Sequence, residues 1–140
     1  MSEKEFATGG CLCGKINYSI NSEPLFMGQC HCDDCRKTTG TGHVSNAFFP
    51  KDSISITGTA ATHDIVTDSG STLTRSFCSD CGSRLFSKNS ANEAVMGVTA
   101  GTFDNSDWFA PQFIVYNKNK PKWDCMDENV PTFEAMPPAK

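Results

Sequence analysis

Three tight clusters of cysteine constrain the fold of this chain more than any other feature. Seven of the eight cysteines lie in a pair, a triplet and a second pair. In chain order the clusters are Cys11 and Cys13, then Cys30, Cys32 and Cys35, then Cys78 and Cys81. Structural zinc sites take four ligands, whereas catalytic zinc sites keep one position open. The count favours one closed and one open site, although spacing alone leaves open which clusters share an ion.

The second pair carries the stronger zinc signature. In Cys78-Ser79-Asp80-Cys81-Gly82 both thiolates can reach one ion from a tight turn. The glycine can adopt the positive φ that lets backbone N–H groups face the sulfurs. Cys11 and Cys13, one residue apart, can project from the same side of an extended segment. Cys-x-Cys is a weak signal alone, but together with the other clusters it predicts metal binding.

Disulfides and iron–sulfur clusters are the alternatives to zinc. Eight cysteines in 140 residues are fewer than disulfide scaffolds carry, and the N-terminal segment MSEKEFATGG lacks the apolar stretch of a secretory signal. The spacings also differ from those common in iron–sulfur proteins. We therefore expect zinc, and a cytoplasmic location where disulfides are disfavoured.

Charge and hydropathy narrow the class of partner. The net charge is -4, and no run of Lys or Arg forms the basic surface that nucleic acid or an anionic membrane requires. No segment has the apolar length that crosses a bilayer. We expect neither nucleic acid nor membrane as a partner.

The chain reads as short strands between turns, and we expect a single mainly β domain over residues 1–140. Residues 15–20 alternate polar and apolar side chains, the pattern of a half-buried strand. Further strands are predicted at 25–29, 44–49, 53–57, 63–67, 72–77, 85–86, 95–99 and 112–116. The segment 68–70 has a turn composition, so we expect the strands at 63–67 and 72–77 to form a hairpin around it. We also expect the chain to turn at 50–52, between the strands at 44–49 and 53–57.

Two more elements are predicted near the chemistry and at the tail. A short helix is expected at 33–38, directly after the triplet. From residue 118 the chain is rich in Pro, Asn and charge, with apolar residues at Trp123 and Phe133. We expect this tail to pack on the sheet through those two side chains.

Several residues are candidates for a fourth ligand of the triplet. His31 would point away from its neighbours in an extended segment, so we expect it to support the ligands or lie at the surface. Asp33 and Asp34 are typical of turns and helix caps. Cys125 is expected to be a free buried thiol, with a distant fourth ligand as the alternative. Water or an external thiol would then fill the position.

Five motifs in a fixed order carry a family resemblance. They are GGCLCGKINYSI, CHCDDCRKTTG, FCSDCGSRLF, GTFD and PKWD. As a set they resemble the glutathione-dependent formaldehyde-activating enzyme family, also called the centromere protein V/GFA domain. The resemblance implies a zinc-stabilised fold of the β-tent type, built from short antiparallel strands, with two zinc ions per chain. Their implied ligands are Cys11, Cys13, Cys78 and Cys81 for the structural ion, and Cys30, Cys32 and Cys35 for the catalytic one.

The resemblance also implies an activity, that of a carbon–sulfur lyase. Glutathione or a similar thiol would add to formaldehyde or another small carbonyl. Zinc suits this chemistry because a thiol bound to it loses its proton near neutral pH. The alternative is a non-catalytic zinc-binding module that binds a small thiol or a protein partner. A triplet closed by Cys125 would favour that alternative.

An anionic thiol such as glutathione needs cations in its pocket. Arg36 and Lys37 directly follow the triplet and are the predicted substrate contacts. Arg75 and Arg84, near the second pair, could also contribute, although Arg84 is interpreted as an ordinary surface charge. No general acid is evident. His31, His43 and His63 are candidates by residue type only, and each is expected to be structural or exposed.

Overall fold

A computed structural model describes residues 5–137 of the chain. The strands in this range are β1 (Ala7–Gly10), β2 (Asn17–Ile20), β3 (Phe26–Cys30), β4 (Val44–Pro50), β5 (Ile54–Thr57), β6 (Ala61–Val66), β7 (Thr72–Phe77), β8 (Arg84–Asn89), β9 (Val95–Thr99) and β10 (Phe113–Val115). One α-helix, α1, covers Asp33–Thr39, and short 3-10 turns cover Lys51–Ser53, Ala100–Thr102 and Asn117–Asn119. None of the helices in residues 5–137 has the length and apolar character needed to cross a membrane.

The strands form two sheets. The smaller sheet has the order β1-β2-β5, and the larger has the order β10-β3-β4-β9-β8-β7-β6. β10 pairs with β3 in parallel, and the other pairs of named strands are antiparallel. The prediction of a mainly β fold of short antiparallel strands is confirmed, with the parallel pair of β3 and β10 as the exception.

The two sheets share one hydrophobic core. Buried residues from both sheets and from the segment leading into β2 form it, among them Ile16, Tyr18, Ile20, Ala47, Phe49, Phe86 and Val98. Because side chains alternate along a strand, only one face of the larger sheet points into this core. The opposite face is available to line a cavity, and the end of β3 places Cys30 beside it.

Two local predictions are confirmed. β6 and β7 form a hairpin, and its turn contains Gly70 with a φ of 90°. The predicted helix is α1, but its N-cap is Cys32, whose Sγ accepts a hydrogen bond from Cys35 N. Asp33 and Asp34 lie in the first turn of the helix, so neither is its N-cap residue, and neither belongs to the thiol cluster.

The predicted turn between β4 and β5 is present, but it does not close a hairpin. β4 pairs with β3 and β9 in the larger sheet, whereas β5 pairs with β2 in the smaller one. The 3-10 turn at Lys51–Ser53 therefore carries the chain from one sheet to the other. Turn composition marks a change of direction, but it does not say which strand the chain meets next.

The tail lies against the larger sheet, but through its backbone and not through Trp123. Phe133 N donates to Ile114 O at 2.8 Å, and Ile114 N donates to Pro131 O at 2.9 Å. These bonds place the tail beside β10. The Trp123 side chain is 68% exposed, so the expectation that it anchors the tail is wrong.

Candidate metal centre

The two cysteine pairs, far apart in sequence, meet in the structure. The Sγ atoms of Cys11, Cys13, Cys78 and Cys81 lie within 4.8 Å of one another. Cys13 Sγ is 3.6 Å from both Cys11 Sγ and Cys78 Sγ, far beyond a disulfide bond of about 2.05 Å. Two thiolates that each lie about 2.3 Å from a tetrahedral zinc are about 3.8 Å apart. The arrangement fits a four-thiolate metal site, which we call the closed site.

Glycine turns aim the thiols of the closed site. Gly14 and Gly82, one after each pair, have φ values of 81° and 80°, a conformation that glycine adopts without steric cost. Gly82 N donates to Cys78 O at 2.8 Å and closes the second turn. Ile16 N donates to Cys11 Sγ at 3.3 Å. The positive φ expected of Gly82 is present.

Ser83 joins the two halves of the closed site, a role that sequence reasoning missed. Its hydroxyl accepts a hydrogen bond from Leu12 N at 3.0 Å and lies 3.3 Å from Cys81 Sγ. With its acceptor side used by Leu12, the hydroxyl can donate to the sulfur. That hydrogen bond is the main cause that lowers the pKa of Cys81 to about 5, because it stabilises the thiolate. Ser83 therefore favours the form of Cys81 that binds metal.

The remaining three clustered thiols meet at the start of α1. Cys30, Cys32 and Cys35 have Sγ atoms within 4.8 Å of one another. Backbone N–H groups of Cys32 and Cys35 donate to Cys30 Sγ at 3.5 Å and to Cys32 Sγ at 3.3 Å. Hydrogen bonds among the thiols raise the pKa of Cys30 and lower the pKa of Cys32. The cluster thus favours a single thiolate, and a bound divalent cation would allow all three to ionise.

The triplet keeps a position open among the residues that the structure describes. Within residues 5–137, no fourth Cys, His, Asp or Glu joins it. Cys125 is exposed, so the expectation of a buried thiol is wrong, and it does not close the triplet. His31 is fully buried, which excludes the surface location, and its Nδ1 donates to Gly42 O at 2.8 Å. Three thiols with a free position fit the donor set of a catalytic zinc.

A cavity of about 310 Å³ lies next to the triplet. Cys30 and Cys35 form part of its lining, together with Arg75 and Arg84. Arg36 and Lys37, the predicted substrate contacts, are not among the lining residues. Arg36 instead pairs with Asp33 on α1, with its Nη2 atom 2.5 Å from Asp33 Oδ1.

Arg75 and Arg84 are the cations that the fold brings to the triplet. Arg75 is only 6% exposed, and the Nε atoms of both arginines are buried without a hydrogen-bond partner in residues 5–137. Arg84 Nη1 donates to Thr38 Oγ1 at 2.6 Å, which ties β8 to the helix that carries Cys35. Burial lowers the pKa of Arg84, and the charge of Cys35 opposes this shift. The interpretation of Arg84 as an ordinary surface charge is therefore replaced by a position beside the thiols.

The charges around the triplet set the kind of ligand it can take. With a divalent cation bound, three thiolates would leave one negative charge, and the two guanidinium groups would outweigh it by one. A net positive site in a partly buried environment attracts an anion more strongly than a neutral molecule. An external thiolate meets that requirement.

A third cluster contains His31, His43 and Asp124. His43 Nδ1 is 2.7 Å from Asp124 Oδ2, and His31 Nδ1 is 3.5 Å from the same oxygen. Nitrogen and oxygen ligands about 2.0 Å from a tetrahedral zinc lie about 3.3 Å apart, so the shorter distance is that of a hydrogen bond. We interpret the cluster as a hydrogen-bonded network, with His31 and His43 in structural roles. His63 is exposed on β6, beside a second cavity of about 260 Å³.

Comparison with known proteins agrees with this geometry. The family described as glutathione-dependent formaldehyde-activating enzyme matches residues 6–119. A Penicillium rubens protein with that name, given provisionally, is 28% identical over 90% of this chain and 69% of its own length. A Talaromyces marneffei protein with the same provisional name is 29% identical over 76% of this chain and 58% of its own length.

A solved structure shares the fold. A protein of Rhodobacter sphaeroides aligns with a TM-score of 0.56 and 18% identity, over 70% of this chain and 88% of that one. At this identity the similarity concerns the fold alone. The family match spans most of the sequence and includes all seven clustered cysteines. This chain therefore belongs to the glutathione-dependent formaldehyde-activating enzyme family.

Proposed function

We propose that this protein is a zinc-dependent carbon–sulfur lyase that adds glutathione or a similar thiol to formaldehyde or another small carbonyl. The observation that carries the proposal is the open triplet at the wall of a cavity, beside Arg75 and Arg84. Family membership and the names of the fungal relatives support the same reaction. Since the chain spans only 58% of the Talaromyces relative, the activity is inferred from this chain's own site.

The proposed cofactor is two zinc ions per chain. The closed site would hold one ion and stabilise the fold, and the triplet would hold the other. A zinc ion held by Cys30, Cys32 and Cys35 would supply the Lewis acidity that keeps an external thiol deprotonated near neutral pH. Eight free thiols fit a reducing location such as the cytoplasm.

The reaction forms one sulfur–carbon bond. The thiolate sulfur gives an electron pair to the carbonyl carbon, and the π electrons of the C=O bond move to oxygen. The proton that the thiol gave up to solvent returns to this oxygen, so the product is an S-hydroxyalkyl thioether. Arg75 and Arg84 hold positive charge beside the reacting anions and favour the thiolate. The cavity walls keep both reactants close together, which converts an encounter of two molecules into a local step.

The main alternative is a non-catalytic zinc-binding module that binds a small thiol or a protein partner. A triplet closed by Cys125 would have favoured it, but Cys125 is exposed and lies outside the cluster. The position left free at the triplet supports the lyase instead.

NMR exchange spectroscopy on formaldehyde, glutathione and their adduct tests the proposal, because thiols also add to formaldehyde without a catalyst. We expect zinc-loaded protein to accelerate exchange above the rate in buffer with the same zinc concentration. The Cys32→Ser/Cys35→Ser variant should lose that acceleration while its closed site keeps metal. An exchange rate equal to that of buffer would contradict the lyase for this substrate pair.

A further inference from the structure

The cavity beside the triplet is built on the face of the larger sheet that does not point into the core. One row of paired residues crosses that face in the order Phe26, Phe48, Gly97, Ser87 and Arg75. Every residue of the row lines the cavity, as expected for side chains that share a face. The strand register thus places the Phe26 ring at one end of the cavity and the Arg75 guanidinium at the other.

Three phenylalanine rings form an aromatic wall, which we define as Phe26, Phe48 and Phe113. The rings of Phe26 and Phe48 stack with centroids 4.6 Å apart and planes 23° apart. Phe113 has its ring centroid 6.1 Å from that of Phe26. Phe26 is 38% exposed, so solvent and a ligand can reach the wall. Apolar side chains extend it, namely Leu73, Val95, Val115 and Met136.

Glycines in the strands make room for two of these rings. A Cβ at Gly28 would lie 2.2 Å from the Phe113 ring, and a Cβ at Gly97 would lie 3.0 Å from the Phe48 ring. Glycine weakens a strand interior, so its presence marks places where another group must approach the backbone closely. The rings of Phe113 and Phe48 pack directly on the backbone at Gly28 and Gly97. The positions of these two rings in the aromatic wall therefore depend on the glycines of the sheet.

The rest of the lining has different chemistry. Cys30, Cys35, Arg75 and Arg84 form an end that suits sulfur and negative charge. Neutral polar residues also line the cavity, namely Gln29, Asn46, Ser87, Asn89 and Asn92. A ligand that fills the cavity would meet a sulfur-binding end, neutral polar side chains and the aromatic wall.

The charged peptide of glutathione does not match the apolar part of this lining. Its two carboxylates and its ammonium group lie away from the sulfur, whereas the charged residues of the lining, Arg75 and Arg84, are at the sulfur end. The rest of the lining is neutral and offers no oppositely charged partner for a buried ammonium or carboxylate group. The volume of about 310 Å³ is at the lower end of the range for small-molecule sites, roughly 300–1,000 Å³, which suits a compact ligand.

Resting on the lyase proposed above, we propose that the substrate thiol carries an aromatic or branched apolar group that packs on the aromatic wall while its sulfur reaches the triplet. Such a thiol places its anion beside the two arginines and buries its apolar part against the rings. Apolar surface of this size contributes about tenfold to a hundredfold in affinity when it is removed from water.

Thiol binding to cobalt-loaded protein tests this proposal, because the cobalt absorption spectrum changes when a new sulfur coordinates the ion. The probes are benzyl mercaptan, 2-mercaptoethanol and glutathione, with benzyl alcohol as a ring without sulfur. We expect benzyl mercaptan to bind at least about tenfold more tightly than the other two thiols, and benzyl alcohol to leave the spectrum unchanged.

Substitutions in the aromatic wall test whether these rings cause the tighter binding of benzyl mercaptan. Phe26→Ala should reduce the affinity for benzyl mercaptan about tenfold and leave that for 2-mercaptoethanol unchanged. Phe113→Leu keeps an apolar group over Gly28 and should have a smaller effect in the same direction. Val66→Ala, an apolar truncation at a side chain that is 74% exposed and outside the cavity, should leave both affinities unchanged.

Two outcomes overturn the inference while the lyase stands. One is equal or tighter binding of glutathione, and the other is a benzyl preference that survives Phe26→Ala and Phe113→Leu. If no thiol changes the cobalt spectrum, the triplet does not accept an external thiol, and the lyase itself fails. Spectral changes by benzyl alcohol equal to those by the thiol would overturn the placement of sulfur at the triplet.

Discussion

His43 Nδ1 donates a hydrogen bond to Asp124 Oδ2 at 2.7 Å, across 81 positions of sequence. The contact fixes the C-terminal segment beside the residue that precedes β4. Gly42 adjoins the pair, and a Cβ at that position would lie 2.3 Å from Asp124 Oδ2. Since His31 and Gly42 are themselves hydrogen-bonded, the tail supports the backbone around the triplet.

Removal of the Asp124 carboxylate should destabilise the protein. The Asp124 side chain is 11% exposed, and its loss leaves a partly buried imidazole without an acceptor. We expect Asp124→Ala to lower the free energy of unfolding of metal-loaded protein by about 1–3 kcal/mol, measured by urea denaturation. Asp107→Ala, at an exposed carboxylate, is the matched control and should change little. Equal effects of the two substitutions would contradict a supporting role for the pair.

The turns, the helix and the cysteine clusters can be predicted from the sequence because each depends on residues that are close together in the chain. The turn at 68–70 contains Gly70, whose φ is 90°, and the helix directly after Cys32 begins where it was predicted. The cysteine clusters were recognisable because metal ligands need particular residue types at short spacings. Their convergence on two separate points is seen only in the fold.

The cavity chemistry was not predictable, because it depends on register between distant strands. The sequence favours Arg36 because it directly follows Cys35, yet Arg75 and Arg84 reach the cavity through the pairing of β7 with β8. The aromatic wall likewise needs the pairing of Phe26 with Phe48. Periodicity shows which side chains share a face of one strand, but it does not show which strands are neighbours.

Loss of the Ser83 hydroxyl should make the closed site more sensitive to acid. Because the pKa of Cys81 is depressed from 9.0 to about 5, the stability its thiolate contributes is fully present above pH 9 and is lost as the pH falls through about 5. Ser83→Ala raises that pKa, so metal release should begin at higher pH, by about one unit. A chromophoric chelator reports the release. Ser55→Ala, at an exposed serine of β5, should keep the wild-type midpoint, and an unshifted Ser83→Ala would exclude the hydrogen bond as the cause.

Substitution of Arg84 and substitution of Arg36 should have different effects on thiol binding. Arg84→Gln should weaken the affinity of zinc-loaded protein for 2-mercaptoethanol about tenfold or more, since it removes a charge beside the bound anion. Arg36→Gln should retain the affinity, because Arg36 pairs with Asp33 away from the cavity. Titration calorimetry measures both. The reverse pattern would support the sequence-based assignment of Arg36 and Lys37.

Cys125 should be dispensable for both metal sites. It is exposed and lies outside both thiol clusters, so Cys125→Ser should leave the zinc content and the exchange rate at their wild-type values. Atomic emission gives the zinc content and NMR gives the rate. A loss of one zinc ion in this variant would show that Cys125 closes the triplet in solution and would favour the non-catalytic module.

Zinc content measured together with folding tests the division into a closed site and an open triplet most directly. Wild-type protein should contain two zinc ions per chain. The Cys32→Ser/Cys35→Ser variant should contain one and keep the wild-type far-ultraviolet circular dichroism spectrum, because the closed site is intact. A wild-type chain that is fully folded without any zinc, or a folded variant that still holds two ions, would contradict the account.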